Sequence, residues 1–143
     1  MGSEMCIRDS LRADRWNAMA AANKILKFFE TKLELFGDSH LTKPILMKDL
    51  DKEDKKCLES GFFQFLPVRD SSGRAIICGF PMLRKYKEII NLRRSFMFMI
   101  MLLLEDPETQ KSGLVMVGNN TGKDAVVDRS AVWAIQRLSL IHI

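Results

Sequence analysis

The chain has 143 residues, of which 47% are hydrophobic and 28% charged, and its formal net charge at pH 7 is +4. This length is enough for one hydrophobic core. Apart from Cys6 and His142 at its two ends, the chain has one histidine, His40, and two cysteines, Cys57 and Cys78, which form no C-x-x-C pair, so a His-rich metal site is not expected. Nucleophilic catalysis with a histidine base would depend on His40, in a polar connector, so we predict a protein that is not an enzyme and has no cofactor.

Two helices are predicted in the first part of the chain. Asn17 is a good N-cap for a helix over residues 18–36, which Gly37 closes. Its apolar side chains recur at spacings of three and four, which predicts one buried face made of Ala22, Ile25, Phe29, Leu33 and Phe36. Lys32 falls outside this face and is assigned to the solvated side. A polar connector over residues 38–48 precedes a second, short helix, which opens with acidic residues at residue 49 and ends near Gly61.

Residues 62–80 predict two strands joined by a turn. Residues 62–69 favour an extended conformation, and Pro67, which cannot donate a ladder hydrogen bond, places them at a sheet edge or a strand end. Residues 70–73 predict a turn in which Asp70 or a serine bonds its own backbone and Gly73 takes a positive φ. Ile76 and Ile77 are β-branched residues at the centre of the next segment, which predicts an inner strand over residues 75–80.

A βαβ crossover is predicted for the following part of the chain. Residues 82–104 favour a helix, and their apolar run, residues 96–104, is well short of the roughly 20 residues that cross a bilayer. This run should therefore be buried inside the domain. Residues 114–118 predict a strand parallel to residues 76–80, and the loop at its carboxyl end, residues 119–123, is where open α/β sheets bind ligands. A last helix is predicted over residues 131–138.

The two ends of the chain match an artificial DNA sequence. Residues 1–9 are what a transposon-end sequencing adapter encodes, with Ser10 beginning in the same string, and residues 138–143 are what its reverse complement encodes. Our hypothesis is that residues 1–10 and 138–143 are adapter-derived and that only residues 11–137 are native, within a gene that continues past both ends. Amplifying the locus from source DNA and finding both strings in place would refute this hypothesis.

Three short motifs follow one another along residues 11–117. Residues 11–17 read L-R-A-D-R-W-N and lead into an Ala-rich helix, residues 69–75 read R-D-S-S-G-R-A, and residues 108–117 contain E-T-Q followed by G-L-V-M-V. In this order they resemble the motifs of the CRAL-TRIO (Sec14-like) lipid-binding family, and they span nearly all of residues 11–137. The chain departs from that pattern at Ala75, where Pro is usual, and at Gly118 and the two asparagines after it, where a strand-ending Asp is common.

The resemblance implies an α/β fold in two parts. N-terminal helices, residues 11–61, precede the first half of a CRAL-TRIO (Sec14-like) mixed sheet with a βαβ crossover, residues 62–137. The implied function is non-catalytic: a cytoplasmic carrier, peripheral to membranes, binds one lipophilic molecule such as a phospholipid and transfers it between membranes. The expected partners are this molecule and, transiently, a membrane surface, without nucleic acid. Because the family's lid helix and later strands come after residue 137, we expect a fragment that holds only the floor of the pocket.

Alternation along the inner strand gives the ligand-facing candidates. It places residues 76, 78 and 80 on one face of the sheet and residues 75, 77 and 79 on the other. One face should meet the crossover helix, and the other should meet the lid or the ligand. We choose Ile77, Phe65 and Met116 as the candidate ligand-facing residues. For each of them taken singly, an ordinary core position is an equal alternative.

A basic cluster near the predicted crossover helix supports a second interpretation, and its members are Arg84, Lys85, Lys87, Arg93 and Arg94. Such a cluster is commonly a solvated face, but it also suits attraction to an anionic membrane surface. The alternative function is therefore a helical or basic module that binds a protein or a membrane surface without a bound lipid. A P-loop nucleotide site over residues 118–123 is rejected, because three residues rather than four separate its glycines and Asp124 follows its lysine.

Overall fold

The computed structural model describes residues 11, 15–83 and 85–118, and in this part of the chain it shows a mixed α/β fold. The helices are α1 (Ala18–Phe36), α2 (Lys52–Glu59), α3 (Ile89–Leu103) and α4 (Pro107–Ser112). The strands are β1 (Phe63–Arg69), β2 (Ala75–Gly79) and β3 (Leu114–Gly118). Short 3₁₀ turns occupy Asp38–His40, Met47–Asp49 and Pro81–Leu83. The two adapter-like ends and the helix predicted over residues 131–138 lie outside the described residues.

The three strands form one mixed sheet in the order β1-β2-β3. β1 pairs antiparallel with β2, with Phe65 opposite Ile77, and β2 pairs parallel with β3, with Ile77 opposite Met116. The register of β1 shifts between Phe65 and Arg69, around Pro67, whose nitrogen has no hydrogen to donate. The prediction that residues 76–80 and 114–118 are parallel neighbours is confirmed. Within the described residues the Pro67 strand lies at the edge of the sheet, one of the two positions predicted for it.

Helix α3 supplies the largest apolar contribution to the core. Leu92 and Phe96 are fully buried, and the ring of Phe96 lies 4.7 Å, centroid to centroid, from the ring of Phe63 on β1. Ile77 of β2, also fully buried, belongs to the same hydrophobic cluster. The start of the apolar run, residues 96–98, is thus buried as predicted, whereas residues 99–101, 103 and 104 are half-buried and Leu102 is 49% exposed. Among the residues described, none of the helices has both the length and the apolar character that a membrane crossing requires.

The crossover helix begins later than the sequence predicted. The prediction started it at residue 82, whereas Pro81–Leu83 is a 3₁₀ turn and the α-helix begins at Ile89. Glu88 is extended, with φ −131° and ψ 155°, and its amide donates to Oδ1 of Asn91 (3.1 Å). Asn91 therefore caps the first turn of α3 from within the helix. This form of N-terminal capping has no sequence signal in the residue before the helix, where Ser, Thr, Asp or Asn is usual.

The short helix α4 was not predicted from the sequence. Residues 108–110 were expected to lead into the next strand, but they belong to a helix that starts at Pro107 and is capped by Asp106. The Asp106 carboxylate accepts hydrogen bonds from the amides of Glu108 and Thr109. An Asp at the N-cap with Pro at N1 is a strong helix-start signal, but the resulting helix is too short to show an apolar period.

The buried face of α1 is offset by one residue from the predicted face. Its buried residues are Ala21, Phe28, Lys32 and Leu35. Of the predicted face, Ala22 and Leu33 are exposed and the other three residues are half-buried. The predicted caps, Asn17 and Gly37, are confirmed: Oδ1 of Asn17 accepts from the amide of Ala20 (3.1 Å), and Gly37 has a φ of 77°.

Lys32 was assigned to solvent, and that assignment is wrong. Its side chain is buried, and Nζ donates to the carbonyl oxygens of Lys43 (2.6 Å) and Leu41 (3.3 Å). Nζ also lies 6.0 Å from the centroid of the Phe28 ring. The irregular connector after α1 has no helical or sheet partners for these carbonyls, so a buried ammonium satisfies them and fastens the connector to α1.

A buried carboxylate joins α2 to α3. Asp51 caps α2, and Asp54 returns the bond by accepting from the Asp51 amide (3.1 Å). Asp54 is fully buried, and its Oδ1 accepts from Nδ2 of Asn91 (2.8 Å). Its backbone oxygen accepts from Oγ of Ser95 (2.9 Å). The capping residue of one helix is therefore also a hydrogen-bond partner of the next, which fixes the position of α2 against the first turns of α3.

We expect Asp54→Ala to lower the free energy of unfolding by about 2–4 kcal/mol, because it leaves the buried amide of Asn91 without its acceptor and removes half of the capping box. Urea denaturation followed by circular dichroism measures this change. The matched control is Glu53→Ala in the same turn, whose exposed ion pair with Lys56 is worth less than about 1 kcal/mol. Equal effects of the two substitutions would contradict the structural role of Asp54.

Candidate functional site

The three residues predicted to face a ligand lie side by side in the sheet. Phe65 is opposite Ile77 on the antiparallel side, and Met116 is opposite Ile77 on the parallel side. They therefore form one row across all three strands. Ile77 is fully buried in the core, and Phe65 and Met116 pack against that core. The structure thus places the row on the face that meets α3, which reverses the orientation we chose from the sequence.

On β2 and β3, the opposite side of the sheet is apolar and only partly covered by the described residues, whereas on β1 the exposed Gln64 lies beside Cys78. The β2–β3 part presents Ile76 beside Val115 and Cys78 beside Val117, and we call these four residues the open face. Three of them are half-buried, and Val117 is 46% exposed. In the described part of the chain none of the four belongs to the hydrophobic core or packs against it. By the criterion that one face meets the helix and the other a lid or ligand, the open face is the better candidate site.

Two of the five basic candidates are already engaged in holding helices together. The guanidinium of Arg93 makes a bidentate pair with Glu34 on α1, with N–O distances of 2.5 and 2.9 Å. Nε of Arg94 donates to the carbonyl oxygen of Leu35 at the end of α1 (2.7 Å), and Nη1 lies 3.4 Å from Oδ2 of Asp51. Both side chains are partly buried between helices, so they are less accessible to a membrane surface than the sequence suggested, and their membrane contact stays a prediction.

The remaining basic candidates precede α3. Lys85 and Lys87 are exposed, and they follow the 3₁₀ turn in which Met82 is 59% exposed. Arg84 lies outside the described residues. The exposed part of the basic cluster therefore lies in the short connection between β2 and α3. In this connection both charged and apolar side chains are accessible to solvent. Of the rejected P-loop segment, only Gly118 lies within the described residues.

The second and third sequence motifs, residues 69–75 and 108–117, contact each other in the fold. Arg69, at the end of β1, donates to the carbonyl oxygen of Gly73 (2.9 Å), to Oγ1 of Thr109 (3.0 Å) and to Asp106. Gly73 has a φ of 79°, and a Cβ there would lie only 3.3 Å from Oγ of Ser112 on α4. The positive φ favours glycine, and a larger residue would also require the Ser112 side chain to shift by a few tenths of an ångström. These motif residues dock the β1–β2 turn onto α4 and thereby fix the approach of the chain to β3.

Asp70 shapes the turn itself. Its Oδ1 accepts from the amides of Ser72 (2.9 Å) and Arg74 (2.8 Å), and its Oδ2 accepts from Nε of Arg74 (2.7 Å). These bonds, the Arg74 amide first among them, lower the pKa of the Asp70 carboxyl. The predicted turn, in which Asp70 bonds its own backbone and Gly73 has positive φ, is confirmed.

The described residues contain no group of three or more His, Cys, Asp or Glu side chains that could hold a metal ion. Cys57 is buried in the core and Cys78 is half-buried on the open face, and both are free thiols. The arrangement that stands out chemically is thus an apolar surface rather than a cluster of reactive groups. This surface is suited to van der Waals contact with an apolar partner.

Comparison of the chain with protein-family models, with characterised proteins and with solved structures gave no match. The resemblance to the CRAL-TRIO family consequently depends on the three motifs and on the fold that they accompany.

We expect Thr109→Val to raise the pKa of Asp106 towards the ordinary value of 3.8. The Thr109 hydroxyl, and then its amide, are the main causes of the lowered Asp106 pKa, with a smaller contribution from Arg69. The pKa is lowered by folding, so the stabilisation is present above pH 3.8 and is lost as the pH falls through the folded-state value. The variant should lose less stability than wild type in this acidic range.

Carbon-13 NMR titration of the Asp106 carboxyl measures the pKa shift directly. Ser112→Ala is the control, because the Ser112 hydroxyl donates to Glu108 (2.9 Å) rather than to Asp106. An Asp106 midpoint that is the same in wild type and Thr109→Val would contradict the assignment of the hydroxyl as the main cause.

Proposed function

We propose that the chain is the first part of a CRAL-TRIO (Sec14-like) lipid-binding domain, a non-catalytic carrier that transfers a small lipophilic molecule, such as a phospholipid, between membranes. The observation that carries the proposal is the sheet. In the described residues it has an antiparallel edge strand followed by a parallel pair, with one face under an apolar helix, and the part of the other face that β2 and β3 form is apolar and partly exposed. Such a sheet is suited to be the floor of a pocket whose guest covers the open face.

The chemistry of the open face fits an apolar guest. None of its four side chains carries a charge, and Ile76 and Val115 are β-branched and therefore stiff, which lowers the entropy lost when a partner packs on them. Burial of apolar area contributes about 25 cal/mol per Å². Each 100 Å² of the open face that a lipid chain covers would therefore contribute about 2.5 kcal/mol to binding. No catalytic group is needed for this role.

Membrane contact is the second part of the proposal, and we assign it to the connection before α3. Lys85 and Lys87 are exposed there, next to the accessible side chains of Met82 and Leu83. Lysines attract anionic headgroups, and neighbouring apolar side chains suit the interfacial region of a bilayer. The same feature supports the alternative function, a membrane-surface or protein-binding module without a bound lipid.

A fluorescent phospholipid, NBD-phosphatidylcholine, separates the two functions. We expect the protein encoded by the complete gene to bind it with a rise in probe fluorescence, and we expect Val117→Asp to weaken this binding at least tenfold, because a carboxylate on the open face would have to be desolvated by the acyl chain. Leu26→Asp on α1 is the control, since Leu26 is 62% exposed and lies on a helix away from the sheet.

Lipid extraction and mass spectrometry of the protein encoded by the complete gene complete this experiment. Equal binding of the probe by Val117→Asp and Leu26→Asp would contradict the open face as the site. A complete protein that binds no phospholipid in solution, yet sediments with vesicles containing phosphatidylserine, would contradict the carrier function and favour the alternative module.

A further inference from the structure

Three large apolar side chains lie in solvent along one side of α1. Met19, Leu26 and Leu33 are 74%, 62% and 42% exposed. They follow one another at intervals of seven residues, which is about two turns of an α-helix, so they form a row along the helix. Single exposed apolar residues are ordinary on a protein surface, but an aligned series of them is typical of a surface that contacts another protein.

Two further apolar residues fill the gaps in this row. Ala22 is exposed and Phe29 is half-buried, and each lies three residues after a member of the row. The spacings along α1 therefore alternate between three and four, which is the pattern of the seam along which helices pair in coiled coils. We call these five residues the outer stripe: Met19, Ala22, Leu26, Phe29 and Leu33. It lies on the side of α1 away from the buried residues of this helix.

The charges beside the outer stripe are complementary to themselves in one orientation. Lys27 and Glu30 are exposed and lie on the same flank of the stripe. In an antiparallel pair with Leu26 of one helix opposite Phe29 of the other, Lys27 of each copy lies within about 3 Å along the axis of Glu30 of the other. In a parallel pair in register, Lys27 would be level with Lys27. Charge complementarity and the helix dipoles therefore both favour the antiparallel orientation.

We propose that the outer stripe is a self-docking surface, through which two copies of this chain pair by antiparallel packing of α1. Leu26 packs beside Phe29 of the other copy at the centre, and the small Ala22 leaves room for Leu33 of the other copy on either side. Each residue of the stripe thus meets a residue of the same stripe, as a twofold interface requires. This inference is independent of the proposed lipid-binding function.

The length of α1 limits the strength of this pairing. Its 19 residues span about 28 Å, so the contact strip on each copy is about 28 Å long and 10 Å wide. This strip is smaller than the roughly 600 Å² per partner at the lower limit of stable interfaces. We therefore expect a reversible dimer with a dissociation constant on the order of 10–100 μM.

Sedimentation velocity of the full 143-residue chain tests the pairing. We expect the apparent mass to rise from the 16.4 kDa of one chain towards twice that value as the concentration passes through the dissociation constant. Leu26→Asp should keep the chain monomeric, because pairing would desolvate a carboxylate against apolar side chains. Val117→Asp is the matched control: it places the same carboxylate on the open face and should dimerise like wild type. Far-UV circular dichroism checks that both variants fold.

Charge exchange tests the orientation of the two helices. Lys27→Glu or Glu30→Lys alone should weaken the dimer about three- to tenfold, because like charges then face each other at two symmetric places. The double variant, which carries both substitutions, restores opposite charges at both places and should regain the dissociation constant of wild type. A double variant that is as weak as the single ones would contradict the antiparallel arrangement.

The alternative results have defined meanings. A wild-type chain that stays monomeric at millimolar concentration, or Leu26→Asp that dimerises like wild type, would overturn the proposal. A dimer that is abolished by Val117→Asp but not by Leu26→Asp would assign the pairing to the open face and would also overturn it. If Leu26→Asp does not fold, the charge exchange between Lys27 and Glu30 still decides.

Discussion

The parallel pairing of β2 with β3 constrains the rest of the described structure. Parallel neighbours cannot be joined by a tight turn, so the chain must leave the sheet after β2, cross one face and return. Helix α3 makes this crossing, and its fully buried Phe96 lies against the face that carries Ile77. Because side chains alternate along a strand, covering that face commits Ile76 and Cys78 to the other one. The position of the open face is thus a consequence of the crossover.

The first half of α3 serves a different purpose from its second half. Asn91 and Ser95 bond to Asp54 of α2, while Arg93 and Arg94 pair with Glu34 and the carbonyl oxygen of Leu35 on α1. The polar half of α3 therefore forms the hydrogen bonds that hold α1 and α2 against it, and the apolar half packs on the sheet. A cluster of arginines on such a helix is more informative about helix–helix contacts than about a charged surface, because an Arg fork satisfies carboxylates and carbonyls between elements.

The sequence predicted the order and type of most elements because their signals are local. Asn17 and Gly37 bracket α1, Pro67 marks an edge strand, and Gly73 marks a positive-φ turn, and each of these signals depends only on the residue and its immediate neighbours. The predictions that failed depend on tertiary contacts. The buried face of α1 includes Lys32 because a distant connector offers it two carbonyl groups, and no spacing rule contains that information.

The prediction of which face of the sheet meets α3 failed for the same reason. Ile77 and Ile76 are the same residue type in adjacent positions, so alternation separates them but cannot say which one meets α3. That choice depends on where α3 begins and on how it packs. The later start at Ile89 depends in turn on Asn91, which caps the first turn and bonds to Asp54 on a different helix.

The motifs that carry the family resemblance act on the fold rather than on a ligand. Arg69, Gly73 and Thr109 hold the β1–β2 turn against α4, and α4 leads directly into β3. They therefore help to set the register that places Ile76 beside Val115 and Cys78 beside Val117. An apolar surface such as the open face has no motif of its own, because many apolar residues of similar volume satisfy it. Motif residues that build such a sheet are consequently recognisable in a sequence, while the residues on its open face are not.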